Sequence, residues 1–294
     1  MRAFLFTVLS CALAAGSSAQ VLLIPDSGND KVWAFDPFDG SVINADYIPT
    51  HPSIPQPINA IYSGRGTILV SDETSDTVQE FGFDGSYIGV FADNADGIDG
   101  PNGLTRYNGQ IYVASNVNGQ VVRLDGDGSN ATSWASGFGT PRDIQFRSGD
   151  ALVSESAGDD IVSLSLSGTL NGVWHSSDGV SGIDFPQQLF LQDSGKVLAA
   201  GFTAPFGIYE YNSDGTQANA YTNLITSPRG VYRLGNGDIL YAGGTRVRIY
   251  DTDTQTEQDI INLSGASFRY IEYVPEPASA LLLMLGALGL RRRG

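Results

Sequence analysis

The chain has one cysteine, Cys11, two histidines, His51 and His175, and two lysines, Lys31 and Lys196. One cysteine permits no intrachain disulfide and no thiolate metal cluster. It lies in an apolar N-terminal stretch, so a chain processed beyond it has no cysteine nucleophile. Both histidines fall in segments that read as surface loops, which leaves no candidate imidazole base in a pocket. Basic residues are scarce: 16 Lys and Arg stand against 32 Asp and Glu, a formal net charge of −16. Arg2, Arg291, Arg292 and Arg293 crowd the two ends. Residues 20–274 therefore keep 12 basic and 31 acidic side chains, a balance of −19. So acidic a body argues against nucleic acid or anionic lipid as a partner, since both need basic patches. It fits a soluble extracellular protein. The sequence shows no nucleotide-binding glycine loop and no zinc signature.

The two ends carry signals of their own. Arg2, the apolar stretch from Ala3 to Ala15 and the small residues Ser17-Ser18-Ala19 follow the order of a secretory signal peptide. Residues 1–19 are expected to be removed. Near the other end, Pro275-Glu276-Pro277 precedes the uncharged segment Ala278 to Leu290, and Arg291, Arg292 and Arg293 follow. The two prolines keep the chain extended, and the residues after them are strong helix formers. Thirteen helical residues reach only about 20 Å, against a bilayer core of roughly 30 Å. The arginines favour the cytoplasmic side. Residues 275–294 resemble the PEP-CTERM sorting signal of Gram-negative bacteria. That resemblance implies a short hydrophobic helix inserted transiently in the inner membrane. It also implies processing by the membrane protease exosortase near Pro275, Glu276 and Pro277, and a final place at the cell surface or in an extracellular matrix. Exopolysaccharide or another matrix component is the partner implied.

Between these ends the sequence repeats. Apolar runs begin at Leu22, Ile68, Ile111, Ala151, Val197 and Ile239, separated by 46, 43, 40, 46 and 42 residues. Each has the look of a buried strand, and the last five follow a glycine turn at Gly66, Gly109, Gly149, Gly195 or Gly237. A proline-led strand stands before each of those five turns, beginning at Pro57, Pro101, Pro141, Pro186 or Pro228. A third strand follows each run, then in most units an Asp-Gly turn and a weaker fourth strand. Four strands every 40 to 46 residues predict an all-β fold, a six-bladed β-propeller over residues 20–274. The chain starts on a second strand and ends, at Ser267 to Tyr273, on a segment that reads as a first strand. The last strand is therefore expected to complete the first blade and hide a sheet edge. The Pro-x-Gly strand, glycine turn, apolar run and acidic residue resemble NHL-repeat propellers. The pattern departs at Gly201 and Gly243, which stand in the acidic position, and at Phe268, which no proline precedes.

Residues just after each proline belong on the innermost strands, near the central channel: Asn59, Asn102, Arg142, Asp143, Gln187, Arg229 and, in the closing segment, Arg269. Such a ring is a candidate ligand site, and its arginines suit a carboxylate or a uronic acid sugar. Pro101-Asn102-Gly103-Leu104 resembles a segment of gluconolactonase-type propellers, in which the asparagine ligates a catalytic divalent cation. Only Asn102 carries over, since acidic ligands matching that family are missing. Asp125-Gly126-Asp127-Gly128-Ser129 and Asp251-Thr252-Asp253 space oxygens as calcium loops do, but tight-turn chemistry accounts for the same residues. With no complete catalytic set, the expectation is a non-catalytic binding or scaffold module. The alternative is a metal-dependent, gluconolactonase-like hydrolase.

Overall fold

A computed structural model describes residues 20–275. The predicted signal peptide, tail helix and all sorting-signal residues after Pro275 lie outside that range. The apolar runs form second strands because both their faces are covered. Leu23 packs with Ile68, Val70 and Phe81 of the next blade, while Leu22 and Ile24 pack with Leu240 and Phe268 on the other side. Side chains alternate across a strand, so a strand wedged between two neighbours must be apolar at nearly every position. The core is accordingly six apolar wedges, one between each pair of adjacent blades.

Six four-stranded antiparallel sheets make up the ring. Blades 2 to 6 begin on an innermost strand: Pro57–Tyr62, Pro101–Tyr107, Pro141–Phe146, Pro186–Leu191 and Gly230–Arg233. Blade 1 takes its innermost strand from the other end of the chain. Glu272–Val274 pairs with Val21–Asp26, in the register Val21 with Val274 and Leu23 with Glu272. Phe268 adds bridges to Asp26 and Gly244, so the closing segment joins blades 1 and 6. This is the closure expected from the sequence. Among the described residues the only helical turn is a 3-10 turn at Asn94–Asp96.

The acidic residue of the repeat has a structural job in the ring. The Asp72 carboxylate accepts from Gln56 N at 2.6 Å and from Ser75 N at 2.8 Å. Glu155 accepts from Thr140 N at 2.6 Å, and Asp26 from Ser267 N at 2.8 Å. Each carboxylate thus pins the loop that enters an innermost strand. The serine before it stitches two blades. Ser71 Oγ accepts from Asn59 N and donates to Asn102 O at 2.6 Å. Ser154 does the same between Asp143 N and Gln187 O at 2.7 Å. Backbone groups displaced by the bulges at the start of these inner strands are satisfied in this way.

The two ends of the channel differ. Innermost strands run from their prolines towards the turns that follow Tyr62, Phe146 and Leu191. Gln20 and Pro275, which flank the Val21–Val274 pair, lie at the turn end. The loops that precede the prolines define the opposite face, called here the mouth.

Candidate functional site at the channel mouth

The residues expected along the channel separate into two layers. The deeper layer holds Asn59, Asp143, Gln187, Gln188, Tyr270 and Glu272. Asn59 and Asp143 are fully buried, and both are tied to the ring. Asn59 Oδ1 accepts from Leu104 N of the next blade, and Asp143 Oδ2 accepts from Leu189 N at 2.8 Å. Gln188 Oε1 accepts from both Val231 N and Ile271 N at 2.9 Å. Glu272 Oε1 takes hydrogen bonds from Asn59 Nδ2 and Gln188 Nε2, each at 3.2 Å. These polar groups lock successive innermost strands together around the axis.

Two carboxyls in this layer are held far above the usual carboxylate range. Burial is the main cause for Asp143. For Glu272 burial comes first and the Asp143 charge second. Asp143 Oδ1 has no hydrogen-bond partner, and neither does Gln187 Nε2. Asp143 is close to Gly103, where an added Cβ would sit 2.5 Å from Oδ1. A side chain at position 103 would displace the carboxylate.

The upper layer is the mouth. Arg142 Nη1 donates to Asn102 Oδ1 at 3.1 Å and reaches Glu73 Oε1 at 3.5 Å. Glu73 Oε1 also accepts from Asn102 Nδ2 at 3.3 Å and Asn116 Nδ2 at 3.1 Å, while Oε2 accepts from Gln56 at 2.8 Å. Arg269 Nε donates to Ser27 Oγ at 2.7 Å. The Arg229 guanidinium lies over the Phe202 ring, 3.9 Å from its centroid, and Arg142 lies 5.1 Å from Phe185. Burial lowers the pKa of Arg229 to about 10, and repulsion from Arg269 and Arg142 adds to the effect. Arg269 is lowered in the same direction, with burial again the main cause.

Phe185 has φ 54°, a left-handed backbone that a bulky residue seldom adopts. Its amide is held by Asp159 Oδ1 at 2.9 Å, and its carbonyl accepts from Phe202 N at 3.2 Å. The fold therefore sustains strain to keep two phenyl rings beside two guanidinium groups.

Asn102, Arg142, Arg229 and Arg269 thus meet in the upper layer, and Asn59 and Asp143 lie beneath them. Glu73, Asn116, Phe185, Phe202 and Glu272 escaped sequence reasoning. Glu73 and Asn116 each stand one residue past a second strand, a register position the repeat itself supplies. The histidines stand outside both layers. His51 stacks on Tyr87 at 4.7 Å, and His175 packs on Tyr211 at 4.2 Å. The suspected calcium loops close on themselves: Asp127 accepts from Ser129 N, and Asp251 from Asp253 N and Thr254 N. Open clefts also occur on the turn face. One, of about 510 Å³, lies between Phe38, Phe190, Tyr232 and Tyr273. Its arginine, Arg233, is paired with Glu210, so the mouth is the better candidate on chemistry.

No family model and no curated protein matches the sequence. Solved structures similar to the chain share its propeller fold at low identity. A chain of a nidogen/laminin complex matches with a TM-score of 0.72 at 12% identity, covering 88% of this chain and 99% of that one. A streptogramin B lyase matches with a TM-score of 0.59 at 14% identity, covering 90% and 93%. A virginiamycin B lyase from Staphylococcus aureus matches with a TM-score of 0.59 at 13% identity, covering 89% and 93%. The class defined is a six-bladed β-propeller.

Proposed function

We propose that this chain is exported and handled at the membrane through its Pro275-Glu276-Pro277 tail, with exosortase as the processing partner. Outside the cell its propeller works as a non-catalytic binding module of a surface or matrix. The observation that supports this most is the placement of the mouth. Arg142, Arg229 and Arg269 lie on the face opposite Gln20 and Pro275. Tethering or processing at the tail leaves that face turned outward.

The fold alone does not decide between binding and catalysis, since similar propellers include one in a nidogen/laminin complex and others that are lyases. The surroundings of Asn102 favour binding. In the lactonase-like alternative its carboxamide oxygen would face a divalent cation. Here that oxygen accepts from Arg142 at 3.1 Å, so a positive charge already occupies its approach. A cation there would be repelled.

The test compares the full chain with a deletion of residues 275–294 in a Gram-negative host that carries exosortase. The full chain is expected in the surface or matrix fraction. The deletion is expected folded but retained in the periplasm or released to the medium. Identical distribution of the two sinks the sorting half of the proposal. Hydrolysis of sugar lactones with added calcium or zinc, lost on Asn102→Ala, sinks the binding half.

A further inference from the structure

The mouth is short of counter-charge. Three guanidinium groups converge there, and among the described residues Glu73 is the one carboxylate bonded to any of them. Its oxygens are already filled by Arg142, Asn102, Asn116 and Gln56. Asp26, below Arg269, spends its oxygens on Gly28 N, Asn29 and Ser267 N. Arg229 has a ring beneath it and no side-chain hydrogen bond or ion pair with any described residue. A half-buried guanidinium with five donors and no acceptor is costly, and in a chain of net charge −16 a carboxylate partner would have been easy to supply. The strained Phe185 and the Phe202 ring flank Arg142 and Arg229, 5.1 and 3.9 Å from their guanidinium carbons, and limit where those groups can sit. Planar donors held in place suit a planar, two-oxygen acceptor.

We propose that the mouth binds the carboxylate of an acidic sugar, a uronate, with Arg229 and Arg269 chelating it and Arg142 closing the third side. The carboxylate follows from the guanidinium geometry. The sugar rests on the reading of the chain as an extracellular matrix module. Asn102 and Glu73 set the position of Arg142.

Titration calorimetry on the purified full chain in detergent tests the assignment, with sodium D-glucuronate and tetragalacturonate as probes. D-glucose, sodium sulfate and glucose 6-phosphate serve as controls. Binding of both uronates is expected, weakening as salt rises, with none for glucose. Arg229→Gln should weaken it by about 10- to 100-fold, the worth of one or two charge-assisted hydrogen bonds. The same change should leave the melting temperature equal or higher, because it removes an unpaired, half-buried cation. Glu73→Gln should tighten binding several-fold by removing the competing negative charge while its carboxamide oxygen still holds Arg142, an outcome that a purely structural role for these residues does not give.

Equal or tighter binding of sulfate or glucose 6-phosphate overturns the carboxylate assignment. So does uronate binding that is unchanged in Arg229→Gln, or absent at 10 mM by order of magnitude. The export reading fails separately, in the tail-deletion experiment, whatever the titration shows.

Discussion

The paired carboxyls in the deeper channel layer predict that this protein loses stability as pH rises through neutrality. Asp143 is pushed up to about 7 and Glu272 to about 8, in both cases chiefly by burial. The groups facing them are Leu189 N and Gln145 at Asp143, Asn59 and Gln188 at Glu272, and Tyr270, which in turn faces Arg142, Arg229 and Glu73. In the unfolded chain both carboxyls ionise near pH 4. Between pH 4 and 8 the folded protein therefore holds more protons than the unfolded one, and stability falls as pH rises across that window. One raised unit is worth ~1.4 kcal/mol, and mutual repulsion means the two shifts do not simply sum. From pH 5.5 to 8.5 the expected loss is ~3 kcal/mol, or a melting temperature lower by about 6–12 °C for a domain of this size. Urea unfolding at half-unit pH steps measures it. The comparison protein is Asp143→Asn with Glu272→Gln, which keeps the oxygens that accept from Leu189 N, Asn59 and Gln188. Its stability should be nearly flat over the same range. A flat wild-type profile, or a slope that survives in the double variant, refutes the reasoning.

Three further outcomes follow from individual contacts. Arg248 is 3% exposed and bonded to Glu257 and Asp259 between the third and outer strands of blade 6. Arg248→Ala should cost about 3 kcal/mol in denaturant unfolding by leaving the largely buried Glu257 charge without its cation, with only Tyr241 Oη and Ile225 N still donating to it. Ser154→Ala removes both halves of a blade-to-blade stitch and should cost about 1–3 kcal/mol, with Ser154→Thr recovering part of it. At Gly243 an added Cβ would lie 1.9 Å from Ser227 O, so Gly243→Ala should lower soluble yield and melting temperature, whereas Gly66→Ala should do so far less despite its φ of 88°, because nothing lies within 4 Å of its Cβ.

The departures from the repeat show how much of the fold the sequence made legible, and where it stopped. Blade number, strand order and closure could be read because a buried second strand must be apolar on both faces, and that requirement recurs every 40 to 46 residues. The irregular positions had no visible reason until neighbours were in place. Gly243 stands where three other blades carry an acidic residue, Asp26, Asp72 or Glu155, because the carbonyl of Ser227 fills the space of a side chain. Gly201 does so because Ile183 and Tyr209 press to within 2.9 Å of its Cβ position. No proline precedes Phe268 because the N–H of Ser267 donates to Asp26 Oδ1 at 2.8 Å, a bond proline lacks, and that bond ties the closing segment to the first blade.

The mouth was legible to a different degree. Position after a proline found Asn102, Arg142 and Arg229, and the matching position in the closing segment found Arg269, since register on an innermost strand decides which side chains meet the axis. It also gathered Asn59 and Asp143, whose oxygens turn out to accept backbone N–H groups of the next blade. Register gives depth along the channel and says nothing of what a side chain bonds to. The excess of positive charge could not be read either, because it depends on which carboxylates reach the arginines. Glu73 does, from a loop 69 residues away from Arg142 in sequence, while Asp26 does not, although it lies one residue from Ser27, which bonds Arg269. Among the described residues no carboxylate bonds Arg229 or Arg269; Glu73 acts on both, and Asp26 on Arg269, only at longer range, and that unbonded charge is what the proposed carboxylate ligand would meet.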